Sequence, residues 1–163
     1  MSLHETLNRH DRSGLILNIG LAVGAALIID IVIFAAGWNS PGGRTAQPWF
    51  APPGWVAALV WLVLFALMAT ARWKLNSYTI IGVVPARRLV TLLIVSCLLW
   101  PFYSIVTGSA TGSFIGTVVT LVLAAFAIAF VQARSRDAAL LLVPVILWLS
   151  FVLVIPVAEL GWV

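Results

Sequence analysis

The sequence predicts an all-α integral membrane protein, a single five-transmembrane-helix bundle. Apolar residues make up 63% of the 163-residue chain and charged residues only 9%. That balance leaves too little polar surface to cover a soluble domain. The apolar residues fall in five runs, at about 15–37, 55–73, 89–108, 114–131 and 138–160. Each is close to the roughly 20 residues that cross a hydrocarbon core. The runs are apolar on all sides, as bilayer helices are, and lack the ~10-residue alternation of a membrane barrel.

Ahead of the first run, residues 1–13 are polar and read as a mobile or interfacial segment. The first run carries Gly20 and Gly24, a small-residue notch that permits close helix approach, and Asp30. Trp38 follows it, then the turn-forming Asn39-Ser40-Pro41-Gly42-Gly43. The second run opens after Gln47-Pro48-Trp49-Phe50-Ala51-Pro52-Pro53-Gly54-Trp55 and closes at Arg72-Trp73-Lys74. Pro85, Arg87 and Arg88 suit the start of the third run, where Pro101 predicts a kink. Gly108, Gly112 and Gly116 mark a tight turn into the fourth run, with close packing or a subunit contact as its use. The fifth run begins after Arg134 and Arg136 and contains Pro144 and Pro156.

The charges sort by side. With five crossings, Arg9, Arg12, Arg72, Lys74, Arg87, Arg88, Arg134 and Arg136 share one face, and Arg44 alone falls on the other. The excess of basic residues places the N-terminus in the cytoplasm and the C-terminus outside, in a bacterial cell membrane. These side chains read as topology determinants at a lipid surface, so the lipid bilayer is the first partner and nucleic acid is not one.

Several chemistries drop out. His4 and His10 both precede the first run, so no intramembrane histidine holds a haem. Cys97 is the one cysteine, and no His, Cys and carboxylate set has metal-ligand spacing. No catalytic residue and no metal ligand is assigned, and no cofactor is required. Asp30 is either a polar contact at a ligand cavity or a protonated, hydrogen-bonded carboxyl facing a neighbouring helix.

Aromatic recognition remains. Trp38, Trp49, Phe50 and Trp55 lie in or beside the first long loop. Trp61 and Phe65, four apart, share one helix face, as do Trp148 and Phe151, three apart. Trp100 lies in the third run. Tryptophans at the boundary fit an interfacial belt. The deeper ones fit either bundle packing or a cavity for a flat conjugated ligand.

The loop and fifth-run motifs resemble the TspO/MBR family (tryptophan-rich sensory protein/translocator protein). Its pattern, Lys-Pro-x-Trp-x-Pro-Pro-x-Trp, is met by Pro48, Pro52, Pro53 and Trp55, with Gln47 in place of Lys and Phe50 in place of Trp. Trp61 and Phe65 follow in register, and Cys97 stands where Asn is usual, before Trp100, Phe102 and Tyr103. The stretch from Arg134 through Pro144, Trp148 and Phe151 is the second match. The resemblance implies a receptor or transporter that binds porphyrins such as protoporphyrin IX, with sterols as further ligands, and serves stress or tetrapyrrole regulation. It implies a cavity of Trp61, Phe65, Cys97, Trp100, Trp148 and Phe151 under the first loop. Arg44 is a candidate partner for a propionate, and a homodimer is the expected assembly. Light-driven porphyrin breakdown and a structural role in a larger membrane complex are the alternative readings.

Overall fold

The computed structural model describes residues 3–38, 48–79 and 81–162. Short α1 (Leu3–Leu7) precedes five long helices: α2 (Arg12–Ala35), α3 (Gly54–Lys74), α4 (Val83–Pro101), α5 (Ala110–Gln132) and α6 (Arg136–Glu159). All five are long and apolar enough to cross a membrane. Around the bundle α2 packs on α3, α3 on α6, α6 on α5 and α5 on α4, and α4 closes back onto α3 and α2. Met68, Leu75, Leu93, Leu142 and Leu149 are fully enclosed at the centre.

Three of the helices, α2, α5 and α6, start earlier than their apolar runs because polar caps lie outside those runs. Asp11 accepts the Gly14 amide at 2.7 Å, Ser109 that of Gly112 at 3.1 Å and Ser135 that of Ala138 at 3.2 Å. Each satisfies one donor that a helix start leaves open. Two helices stop the same way at the opposite end. Gly37 (φ +69°) and Gly161 (φ +71°) take the left-handed conformation. Trp38 then donates its amide to the Ile33 carbonyl and Trp162 to the Val157 carbonyl. This closes each helix with a tryptophan just beyond it.

The N-terminal segment is not a loose tail. It folds back on the bundle, and the Leu7 carbonyl accepts from Asn18 Nδ2 (3.0 Å), Asn76 Nδ2 (3.0 Å) and Arg72 Nη1 (3.2 Å). His10 stacks on Trp73 at 4.2 Å, and the Trp73 indole donates to the Asp11 carbonyl at 3.0 Å. Of the two readings of this segment, mobile or interfacial, the docking of residues 7–11 at the polar end of the bundle fits the second, and their polar groups bind those of α2 and α3.

Pro101 acts through the turn that follows it. The chain widens into a π-helical turn over Phe102–Val106, a device that relieves a broken helical hydrogen-bond ladder. Ser104 Oγ donates to the Trp100 carbonyl at 2.7 Å and Thr107 Oγ1 to that of Tyr103 at 2.7 Å. The wide turn aims Tyr103 at Gly116, where an added Cβ would land in the Tyr103 ring. Gly116 is therefore an internal packing position. A Cβ added at Gly20 or Gly24 would meet nothing within 4 Å among the described residues, so the notch on α2 faces away from them.

Candidate ligand site

The aromatic residues singled out in the sequence separate into three groups. Trp38 (42% exposed), Trp49 (95%) and Trp55 (63%) sit at the loop end of the bundle with half-buried Phe50. Trp49 meets Phe50 edge-on at 5.9 Å. Their exposure at helix ends is that of a boundary belt. Arg44 and Gln47 lie outside the described residues.

The second group is a closed aromatic core. Trp61 packs against Phe65 at 5.8 Å and against Trp100 of α4 at 5.9 Å, and Cys97 is buried beside them. Trp100 Nε1 donates to Thr117 Oγ1 of α5 at 2.9 Å. Tyr103 and Ser96 both reach Thr120 Oγ1, at 3.0 and 3.3 Å. These polar tips are thus spent on holding α4 to α5. The space left among Asp30, Trp61, Phe65, Cys97 and Pro101 is about 20 Å³, little more than one water requires. Asp30 lines this cleft from α2, beside the aromatic core.

The third group faces the other side of α3. Leu59, Val60, Val63, Leu64 and Leu67 form one wall of a groove, and Pro144, Leu147, Trp148 and Phe151 of α6 form the second. Its volume is about 730 Å³, within the range of small-molecule sites. Trp148 and Phe151 pack ring to ring at 5.5 Å and supply its flat surface. Leu59, Val63 and Leu147 are more than half exposed, so the groove opens at the outer surface of the bundle. The Trp148 Nε1–H is buried and has no hydrogen-bond acceptor among the described residues.

Among the described residues, those expected to line one cavity fall in two places: Trp61, Phe65, Cys97 and Trp100 in the aromatic core, Trp148 and Phe151 in the groove wall. Trp61 and Phe65 lie on one side of α3, Leu59 and Val63 on the other. The aliphatic wall was not legible, because Leu and Val in a membrane helix look alike whether they face lipid, protein or a ligand. The hydroxyl track of α5 was not singled out either, although its signal is in the spacing: Ser113, Thr117 and Thr120 recur every three or four residues, and all are buried. Among the described residues, no group of three or more His, Cys, Asp or Glu could hold a metal ion.

A sequence model of the TspO/MBR family matches residues 19–159, which take in the groove, the aromatic core and the cleft at Asp30. No curated protein and no solved structure matches the chain.

Proposed function

The chain belongs to the TspO/MBR family, and from that premise we propose that the groove between α3 and α6 binds a porphyrin-class ligand. Membership supports a membrane protein that binds tetrapyrroles or sterols in general. The narrower reading is a receptor- or transporter-like protein for a metal-free macrocycle such as protoporphyrin IX, serving stress or tetrapyrrole regulation. One observation carries it: Trp148 and Phe151, packed ring to ring at 5.5 Å, offer a flat aromatic surface in the wall of a 730 Å³ apolar groove. A conjugated macrocycle stacks on such a surface. A sterol suits the aliphatic wall opposite. The open notch at Gly20 and Gly24 is where we place the contact of a homodimer.

The test is quenching of tryptophan fluorescence by protoporphyrin IX in neutral detergent. Trp148→Leu keeps an apolar side chain and removes the ring, and is expected to weaken binding about two- to tenfold, the worth of one aromatic contact of about 0.5–1.5 kcal/mol. Trp61→Leu, on the far side of α3, is expected to change affinity less than about twofold. The reverse ranking would move the site into the aromatic core. Loss of quenching on adding a sterol would put both ligand classes in one groove.

A further inference from the structure

A second cavity lies at the basic end, remote in character from the apolar groove. It holds about 420 Å³ and is lined by Asn8, Arg72, Val84, Arg87, Arg88 and Thr91. Three of these six carry positive charge and none is acidic. Arg72 is fixed in place by Thr91 Oγ1 on Nε (3.0 Å), Asn18 Oδ1 on Nη1 (2.6 Å) and Asn8 Oδ1 on Nη2 (3.2 Å). Arg87 is held by Asn76 Oδ1 at 3.0 Å and approaches the same Asn8 oxygen at 3.5 Å. All of these acceptors are neutral. Two guanidinium groups thus converge on one amide oxygen with no carboxylate between them among the described residues, an arrangement that like-charge repulsion disfavours. Arg88 is exposed and makes no hydrogen bond or ion pair among the described residues.

Elsewhere at this end Arg9 meets Asp11 at 3.1 Å and Lys74 meets Asp137 at 3.2 Å, whereas no carboxylate lines the cavity among the described residues. Topology alone asks for basic residues near the membrane surface. It does not ask that two of them be oriented by a set of asparagines around an enclosed space. The cavity also takes in the first turn of α4, whose cap, Gly82, contributes no side chain.

We propose that this cavity binds a phosphate group, carried either by an anionic lipid headgroup or by a soluble phosphate. Guanidinium forks match phosphate oxygens in pairs. Arg88, which has no other partner, closes over a group that Arg72 and Arg87 hold from beneath. The bound charge removes the repulsion between Arg72 and Arg87 and so ties α3, α4 and the N-terminal segment together.

The experiment is native mass spectrometry of the full chain from a neutral maltoside detergent, with dioctanoyl-phosphatidylglycerol in one arm and inorganic phosphate in the other. Arg72 pins the N-terminal segment, so the variant is Arg87→Gln with Arg88→Gln. Arg12→Gln with Arg136→Gln removes the same charge at the same end without touching the cavity. A stoichiometric adduct that falls at least tenfold in the first variant and less than twofold in the second supports the site. An adduct with the lipid alone identifies the headgroup as the source, and one with inorganic phosphate identifies a soluble ligand. Absence of an adduct in both arms, or equal loss in the two double variants, overturns the proposal. Protoporphyrin quenching in the same preparations reports the groove between α3 and α6 separately.

Discussion

Gly116 shows how much a single methyl group can matter in this bundle. A Cβ there would enter the Tyr103 ring, and moving that ring breaks the 3.0 Å contact of its hydroxyl with Thr120. Gly116→Ala is therefore expected to destabilise the protein by about 1–3 kcal/mol, the usual cost of overpacking a core. Gly20→Ala is the matched comparison, because nothing lies within 4 Å of that position. In a dispersed monomer it should be neutral or slightly stabilising, since alanine favours a helix over glycine by about 1 kcal/mol. Thermal unfolding in detergent separates the two, and a Gly116→Ala midpoint equal to wild type would contradict the packing described. The sequence shows both glycines in i, i+4 series but not which series is filled. That depends on the π-helical turn after Pro101, which rotates Tyr103 toward α5.

The N-terminal segment illustrates an element whose order comes from partners distant in sequence. Composition alone gave it no reason to fold, since α1 spans five residues and an isolated helix of that length is unstable. Its anchor is Asn18, buried within α2, which donates to the Leu7 carbonyl at 3.0 Å and to the Gly14 carbonyl at 2.7 Å while accepting from Arg72. Asn18→Ala leaves the Arg72 guanidinium and the Leu7 carbonyl short of a partner. The expected cost is about 1–3 kcal/mol, concentrated locally. Hydrogen exchange should show lost protection at the Asn8 and Arg9 amides, which close the turn on Glu5 and Thr6, with α5 and α6 unchanged. A uniform loss of protection across the bundle would instead make Asn18 part of the global core. The five long helices were legible because hydropathy is a local property of each run. The docking of residues 5–11 was not, because it depends on Arg72 and Asn76, more than 60 residues away. The aromatic residues were legible for the same local reason, and their division into core and groove was not. That division depends on which neighbours α3 has on each side.

The two ends of the molecule differ in chemistry, and that difference predicts its direction in a membrane. One end gathers Arg72, Lys74, Arg87, Arg88, Arg134 and Arg136, and Arg134 lies over Gly82 in a way that leaves no room for a Cβ there. The other end carries Trp38, Trp49, Trp55 and Trp162, of which Trp162 meets Phe114 edge-on at 5.2 Å. Basic residues are retained on the cytoplasmic side, whereas aromatic belts form at either boundary. The basic end is thus expected inside and the proline–tryptophan loop outside. The check uses the single native cysteine to advantage. Cys97 is 2% exposed, so Cys97→Ala removes the only competing thiol with a small cavity as its cost. On that background Trp49→Cys places a thiol at the most exposed tryptophan of the loop, and Arg136→Cys places one at the start of α6. A membrane-impermeant maleimide applied to intact bacterial cells should label position 49 and spare position 136 until the cells are lysed. Labelling of position 136 in intact cells would invert the molecule. The phosphate-binding cavity would then open to the outside, and any ligand entering over the first loop would approach from the cytoplasm.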